Sequence, residues 1–242
     1  MIYHLLASGS KGNAFVLENG SSKLLIDCGT TQRDLKKHLN TLEIELDALD
    51  AVLITHNHSD HIKAINLFKN HTVYSPVDLK VAHHIIKPYN TFTHGSFTIT
   101  PIPTSHDAKD SVGYIIEDPK HKLVYITDTG YIKSQDLPLL EEAHVIVMES
   151  NHDPVMLMAT DRPYILKQRI LADTGHLSND KAGQILSKIV HSDTQEIILA
   201  HLSEEANTEA LAYETVSGYL NGYSGKLSIG KQHEIVSGKV KR

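Results

Sequence analysis

Short apolar runs separated by polar segments predict a chain that is rich in β-strands, above all in its first half. Eight of these runs are dominated by Val, Ile, Leu, Tyr and Thr and are bounded mostly by Gly, Pro, Asn or Asp, which is typical of strands. The predicted strands are Leu24–Asp27, Ala51–Thr55, Thr72–Ser75, Phe97–Ile102, Val112–Glu117, Leu123–Thr127, Val145–Glu149 and Ile197–Ala200.

Segments with helical character dominate the second half, where apolar residues recur at the spacing of a helix face. The predicted helices are Gln32–Leu42, His61–Phe68, Val77–Ile86, Pro154–Leu171, Asn179–Val190 and Glu204–Leu220. Near the C-terminus, Lys226–Ile229 and Glu234–Val236 predict a closing hairpin.

The order of these elements predicts one α/β domain. No Pro/Gly/Ser-rich linker, repeat or low-complexity tract interrupts residues 1–242, so we expect a single domain in which helices cover sheets. Val112–Glu117 and Leu123–Thr127 flank the turn DPKH like a hairpin, whereas other runs read as parallel strands. A mixed sheet is therefore predicted.

Composition adds histidine to this picture. The chain has 17 His against 4 Phe and no Trp, which favours a metal site because histidine is the commonest metal ligand. Cys28 is the single cysteine, the N-terminus does not resemble a signal peptide, and no apolar run is long enough to span a membrane. These features predict a cytoplasmic protein without membrane contact. The net charge of −6 counts against indiscriminate nucleic-acid binding, although bound cations would offset carboxylates locally.

Candidate metal ligands follow directly after four of the apolar runs, at the strand ends where ligands gather in α/β sheets. They are His56, His58, Asp60 and His61 after AVLIT, His106 after FTITPIPTS, Asp128 after KLVYIT, and His201 after EIILA. A metal-free polar loop is the alternative for residues 56–61, and the three other matched positions count against it.

The spacing within THNHSDH indicates two ions. His56 and His58 are two residues apart, so an extended segment points both side chains the same way and both can bind one ion. Asp60 and His61 follow as the chain turns into a helix and can bind a second ion nearby. A set of nitrogen and oxygen donors suits Zn, Mn or Fe(II).

THNHSDH fits the HxHxDH signature, and over nearly its whole length the chain resembles the metallo-β-lactamase superfamily. The resemblance implies a four-layer αβ/βα sandwich with two mixed sheets face to face and helices outside. It implies that one ion is held by His56, His58 and His106, that the other is held by Asp60, His61 and His201, and that Asp128 bridges both. Asp27 in LLIDCG matches an aspartate that supports the metal loop, or is simply a turn former before Gly29.

Two branches of the superfamily are disfavoured. No cysteine lies near His201, so the lactamase pattern with a cysteine ligand fails. His58 stands where oxygen-reducing diiron relatives carry glutamate, which counts against redox chemistry. Paired metals supply a bridging hydroxide and stabilise charge on a phosphoryl or acyl oxygen, so several ester classes stay open.

The stretches LASGSKGNAF, MESNHD, DTGHLSND and LAHLSEEAN are similar to those of the WalJ/YycJ family, small proteins of this fold described as 5′→3′ DNA exonucleases. This resemblance implies DNA as the substrate and cleavage by the metal-bridging hydroxide. The alternatives are hydrolysis of a small ester, thioester or cyclic phosphodiester, and a non-catalytic regulatory protein that keeps a metal site for folding. The sequence leaves the metal and the oligomeric state open.

Further residues receive a role from this family. Asp60 and His176 are predicted to be catalytic, with His176 contacting the scissile phosphate or protonating the leaving 3′-oxygen. The predicted phosphate contacts are Ser8, Ser10, Lys11, Asn13 and Ser178. Each has a plainer alternative, since SGSKGN can be an ordinary turn and Ser178 a helix cap.

Two further groups of polar residues each allow two interpretations. Glu149, Asn151 and His152 could orient metal ligands or be ordinary loop residues. The basic side chains could touch a DNA backbone or be simply solvated. They are Arg162, Lys167, Arg169 and those of the terminal GKVKR.

Overall fold

The computed structural model describes residues 1–20 and 22–241, and within them fourteen strands form two seven-stranded sheets. The strands are β1 (Ile2–Ala7), β2 (Ala14–Asn19), β3 (Ser22–Ile26), β4 (Ala51–Leu53), β5 (Thr72–Ser75), β6 (His84–Ile85), β7 (Phe92–His94), β8 (Phe97–Pro103), β9 (Val112–Glu117), β10 (Lys122–Ile126), β11 (Val145–Glu149), β12 (Glu196–Ala200), β13 (Lys226–Ile229) and β14 (Val236–Lys239). The α-helices are α1 (Gln32–Thr41), α2 (Ser59–Ile62), α3 (Leu137–Leu140), α4 (Pro154–Ala159), α5 (Tyr164–Leu171), α6 (Asn179–Ile189) and α7 (Glu209–Tyr219). None of these helices is long and apolar enough to cross a membrane.

Both sheets are mixed. The first has the order β14-β1-β2-β3-β4-β5-β6, antiparallel from β14 to β3 and parallel from β3 to β6. The second has the order β13-β12-β11-β10-β9-β8-β7, parallel from β13 to β10 and antiparallel beyond. The predicted sandwich of two mixed sheets flanked by helices is confirmed.

Alternation along the strands builds the four layers, because successive side chains of a strand point to opposite faces. On β3, Leu24 and Ile26 pack between the two sheets, while Leu25 packs outward in a cluster that includes residues of α1. On β10, Tyr125 packs between the sheets, while Val124 packs outward in a cluster that includes residues of α6 and α7. Each such side chain, when fully buried, contributes about 1.5–3 kcal/mol.

Two tyrosines join the sheets by buried hydrogen bonds. The hydroxyl of Tyr3 on β1 donates to Glu196 Oε2 on β12 at 2.5 Å. The hydroxyl of Tyr114 on β9 donates to the carbonyl of Ile54 at 2.5 Å. Since Ile54 lies two residues before His56, the second bond fixes the start of the histidine-rich loop against the opposite sheet.

Two helix predictions are wrong. Val77–Ile86 is not a helix, because its end forms β6, in which His84 pairs with Tyr74 of β5. Sheet pairing at this edge overrides the local pattern. The segment predicted as one helix over Pro154–Leu171 is divided into α4 and α5 by Pro163, which lacks an N–H and disfavours helical geometry in the preceding residue.

Other predictions need new boundaries or partners. The predicted closing hairpin is wrong, because β13 pairs in parallel with β12 while β14 pairs with β1 in the other sheet. The segment from His61 is the short α2 followed by a 3-10 turn over Ile65–Phe68. α7 begins later than predicted, where the Thr208 side chain accepts a hydrogen bond from the Leu211 N–H. Strands β1, β2, β6 and β7 were not predicted.

Candidate metal centre

The seven predicted ligands lie together where strands of both sheets end. Histidine and carboxylate side chains form four overlapping groups, and within each group the ligand atoms lie within 4.8 Å of one another. The groups are His56, His58 and His106; His56, His61 and Asp128; Asp60, His61 and His201; and Asp128, Glu149, His176 and His201. Every predicted ligand therefore belongs to at least one group.

Three of the predicted site residues have a left-handed backbone. Asp27, Asp128 and His201 have φ angles of 57°, 55° and 57°, and they follow β3, β10 and β12. Such a conformation costs about 1–3 kcal/mol in a residue other than glycine and persists only where contacts hold it, often at functional sites. At His201 the contact is a hydrogen bond of 2.7 Å from its N–H to Ser8 Oγ.

In the group formed by His56, His58 and His106, two rings present a free lone pair. His106 Nδ1 donates to the carbonyl of Gly175 at 3.2 Å, so Nε2 keeps its lone pair and lies 3.3 Å from His58 Nδ1. The Thr55 hydroxyl donates to Asp27, so His56 Nδ1, at 3.0 Å, donates to Thr55 and its Nε2 is also free. Burial lowers the pKa of both His56 and His106, which keeps them in the metal-binding form.

The group formed by Asp60, His61 and His201 is oriented by buried carboxylates. His61 Nδ1 donates to Asp27 Oδ2 at 2.7 Å, and His201 Nδ1 lies 3.1 Å from Glu149 Oε1. The opposite Nε2 atoms face Asp60 Oδ2 at 3.7 Å and 3.8 Å. Asp27 thus contacts the metal loop, and it does so from a left-handed backbone directly after β3. Carboxylates placed behind histidines in this way fix the ring orientation of metal ligands.

Asp128 lies between the group of His56, His58 and His106 and the group of Asp60, His61 and His201. Its Oδ2 is 3.1 Å from His61 Nε2, and its Oδ1 is 3.5 Å from His201 Nε2 and 3.8 Å from His106 Nε2. The side chain is 3% exposed. One carboxylate can therefore contact donors on both sides, which is the position a bridging ligand requires.

The charge balance of the centre fits divalent cations. Within the described residues, three buried atoms at its heart have no hydrogen-bond partner: His56 Nε2, Asp128 Oδ2 and His201 Nε2. Burial lowers the pKa of His61, but Asp128 and Asp27 outweigh it and raise the pKa to about 10; burial likewise opposes the raised pKa of His201, where Asp128 again prevails. The carboxylates thus favour protonated rings at His61 and His201. Binding of a metal ion to such a cluster releases protons of this kind, because the cation takes over the neutralisation of the carboxylates.

Glu149 connects this centre to His176. Its Oε2 accepts hydrogen bonds from the N–H groups of Thr129 and Leu177, and its Oε1 lies 2.7 Å from His176 Nδ1. Burial raises the pKa of Glu149, but His176 and His201 overcome this effect and lower the pKa to about 2. His176 also stacks on His201 with ring centroids 5.3 Å apart. Glu149 therefore holds two histidines in fixed orientations.

Asn151 and His152 differ in their relation to the centre. Asn151 Nδ2 donates to the carbonyl of His201 at 2.8 Å and so fixes the backbone of that residue. His152 Nδ1 is buried and has no hydrogen-bond partner within residues 1–20 and 22–241, and burial lowers the pKa of the ring to about 4. The His152 carbonyl accepts from Asn179 N. Among the described contacts, none joins the His152 ring to a predicted ligand.

The SGSKGN loop braces the centre from behind, in contrast to the predicted phosphate contacts. The Ser8 hydroxyl is engaged with His201, and the buried Asn13 Nδ2 lies 3.1 Å from His61 Nε2. Lys11 Nζ pairs with Glu204 Oε2 at 2.6 Å. Ser10 is exposed and is the loop's most accessible hydroxyl. Ser8 and Asn13 are therefore positioned to support ligands rather than to meet a substrate.

Ser178 caps α6, with its side chain accepting from the Lys181 N–H at 3.3 Å. We expect Ser178→Ala to lower the free energy of unfolding by about 1 kcal/mol, because an orphaned helix N–H loses its acceptor. Ser178→Asn should restore most of that loss. Urea titration followed by circular dichroism measures both. A variant of undiminished stability but weakened substrate binding would instead support the predicted phosphate contact.

The predicted DNA-contacting cations are mostly engaged elsewhere. Lys167 is buried and donates to the carbonyls of Met158 and Thr160 at 2.7 Å each, so it closes the end of α4 and is not available to DNA. Arg162 pairs with Glu205. The tail residue 242 lies outside the described residues.

Two contributors were missed in the sequence. The Thr55 hydroxyl donates to Asp27, and its oxygen lies 3.0 Å from His56 Nδ1 and 3.1 Å from His61 Nδ1, whose N–H groups it can accept. Asp107 places Oδ1 3.4 Å from His106 Nε2 and is paired with Arg169. Each is the immediate sequence neighbour of a ligand, and that adjacency was the available signal.

Comparison with known proteins agrees with this geometry. A family model described as a beta-lactamase superfamily domain matches residues 22–202. The exodeoxyribonuclease WalJ of Streptococcus pneumoniae serotype 2 (strain D39 / NCTC 7466) is 34% identical over 235 residues, covering 90% of this chain and 87% of the relative. The exodeoxyribonuclease YycJ of Bacillus anthracis is 30% identical over 248 residues, covering 96% and 93%.

The fold has a solved counterpart. The crystal structure of the metallo-beta-lactamase fold protein YhfI from Bacillus subtilis superposes with a TM-score of 0.75 over 98% of this chain and 99% of that chain. The two sequences are 22% identical, so this likeness concerns the architecture.

Proposed function

The chain belongs to the beta-lactamase superfamily, and from that premise we propose that it is a metal-dependent phosphodiesterase that digests DNA from a 5′ end. The observation that carries the proposal is the pair of donor groups joined by Asp128. Relatives named exodeoxyribonuclease, 30% to 34% identical over most of their length, favour DNA over other esters. A DNA substrate also suits the predicted cytoplasmic location.

We propose two divalent ions, Zn or Mn with Fe as a further possibility, since the donors are nitrogen and oxygen atoms. The first ion would be held by His56, His58 and His106 and the second by Asp60, His61 and His201, and Asp128 would be a ligand of both. Divalent ions in such a site lower the pKa of water and neutralise charge on phosphoryl oxygens.

The protein's own contribution is orientation and proton transfer. Asp27 and Glu149 fix the rings of His61 and His201 through Nδ1, so both Nε2 atoms point into the centre. Glu149 also occupies Nδ1 of His176, which leaves Nε2 of that ring for the substrate. We assign to His176 the protonation of the leaving 3′-oxygen. Asp60, as a proposed ligand of the second ion, would be essential for catalysis.

The deciding experiment is digestion of DNA labelled at the 5′ or the 3′ end by protein that has been chelated and then refilled with Mn or Zn. We expect no cleavage by the metal-free protein and metal-dependent cleavage after refilling, with release of the 5′ label as short products from the start. The melting temperature should rise with metal, because a ligand that binds only the folded state stabilises it.

Asp60→Asn is the matched control, since it keeps the side chain's shape and removes its charge. Restored melting temperature without cleavage in this variant would separate catalysis from folding. Intact DNA under every metal would contradict the proposal and direct attention to small esters and cyclic phosphodiesters as substrates. Early loss of the 3′ label would instead reverse the proposed direction.

A further inference from the structure

A cleft of about 250 Å³ opens beside His106, directly next to the candidate metal centre. Its lining residues come from the end of β8 and from the loops that follow β8 and β10. They are Pro103, Thr104, Ser105, His106, Tyr131 and Lys133. None of the six is acidic, in contrast to the carboxylate-rich centre beside it.

Hydrogen bonds fix the cleft relative to two proposed ligands. The Ser105 N–H donates to Thr129 Oγ1 at 3.0 Å, and the Gly130 N–H donates to the Ser105 carbonyl at 2.8 Å. Ser105 precedes His106, and Thr129 follows Asp128. The Thr129 hydroxyl in turn donates to the Tyr131 carbonyl at 2.7 Å. The backbone that lines the cleft is therefore fixed relative to His106 and Asp128.

Lys133 gives the cleft an available positive charge. Lys11 and Arg169, two other cations close to the centre, are paired with Glu204 and Asp107. The ammonium group of Lys133 is exposed, and in the part of the chain that the structure describes it has neither an ion pair nor a hydrogen bond. It can therefore bind an anion without first giving up an internal partner.

Tyr131 supplies an aromatic surface at the same place. Its side chain is 39% exposed although its backbone is tied to Thr129. Exposed aromatic rings beside a cationic side chain are the elements with which proteins hold single-stranded nucleic acid, through base stacking and phosphate contact.

We propose that this cleft is the subsite for the nucleotide adjoining the scissile phosphate, with Tyr131 stacking on its base and Lys133 contacting the next phosphate along the strand. This inference rests on the proposed function. Since stacking accepts every base, the subsite would hold DNA strands of any sequence, and it requires the terminal bases to be unpaired.

The test compares KM and kcat for a short single-stranded oligonucleotide. Tyr131→Ala and Lys133→Gln should each raise KM about tenfold with a much smaller effect on kcat, whereas Tyr131→Phe, which keeps the ring, should resemble the wild type. For Lys133→Gln, the slope of log affinity against log salt should shrink by about 0.7, the value of one phosphate contact on a single strand. Lys120→Gln, which removes an exposed lysine from the β9–β10 turn, is the matched control.

The outcomes separate the two proposals. Unchanged KM values in both cleft variants, or a loss confined to kcat, would overturn the subsite while the wild type still cleaves DNA. If the refilled wild type cleaves neither the oligonucleotide nor bis(p-nitrophenyl) phosphate, the phosphodiesterase itself is refuted and the subsite with it. Melting temperatures establish that each variant is folded, as expected for exposed positions.

Discussion

Asp128→Asn should lower DNA hydrolysis by about three orders of magnitude or more, corresponding to about 4 kcal/mol of transition-state stabilisation. The reason is that one buried carboxylate lies within 3.8 Å of His61, His106 and His201 at once. An amide of the same shape keeps one neutral oxygen and places an N–H₂ donor where the centre requires an acceptor. Both donor groups would therefore lose their shared ligand together.

The test measures metal content, melting temperature and turnover on one preparation, so that loss of metal, loss of stability and loss of catalysis can be told apart. We expect the variant to retain less metal than the wild type and to gain less thermal stability on refilling. Asp118→Asn is a close control, because Asp118 is equally buried, at 3% side-chain exposure, but lies in the β9–β10 turn. It should lose some stability and keep its activity. Full metal content with activity within tenfold of the wild type would refute the bridging assignment of Asp128.

The candidate ligands could be selected from the sequence because their signals are local. An apolar run followed directly by His56, His58, Asp60 and His61 predicts both a strand and the position at which it ends. His201 could be named a candidate from its own short neighbourhood, but β12 lies in the other sheet, and the place of His201 in the same centre came with the family resemblance. The two-sheet sandwich came with the family resemblance rather than with the periodicity.

The supporting contacts of the SGSKGN loop could not be predicted, because they depend on contacts between distant segments. Ser8 and His201, joined by a hydrogen bond, are 193 residues apart. Nothing in SGSKGN distinguishes a loop that braces ligands from one that cradles phosphate, and Asn13 became assignable only when its amide was seen beside His61. The pairing of β13 and β14 with different sheets was hidden for the same reason, since adjacent strands in sequence normally form a hairpin.

Glu149 illustrates how an ambiguous residue gains a role from its surroundings. In sequence it is a carboxylate at the end of an apolar run, equally consistent with a polar loop. In the structure it is fully buried between His176 and His201, with two N–H groups completing its shell. A buried charge is costly unless paired in this way. Its pairing with His176 is the contact on which the role proposed for that residue in the reaction rests.

His176→Ala should lower DNA hydrolysis by about 10² to 10⁴-fold with metal content intact, the range expected when a general acid is removed. Burial lowers the pKa of His176, but Glu149 outweighs it and raises the pKa above its usual value, which favours the protonated ring that a general acid requires. The wild type should therefore lose activity as the pH rises through this raised pKa, and the variant should lack that limb of the pH profile.

The leaving group distinguishes proton donation from other roles of His176. A 3′-oxygen of DNA departs poorly without a proton, whereas p-nitrophenolate departs readily, so His176→Ala should impair hydrolysis of bis(p-nitrophenyl) phosphate far less than that of DNA. His191→Ala, which removes a half-exposed histidine beyond the end of α6, is the control for substitution as such. Equal losses on both substrates would assign His176 to holding the phosphate. A loss of only a few-fold on DNA, with metal retained, would remove it from the chemistry, because the Glu149 contact would then serve only to orient His201.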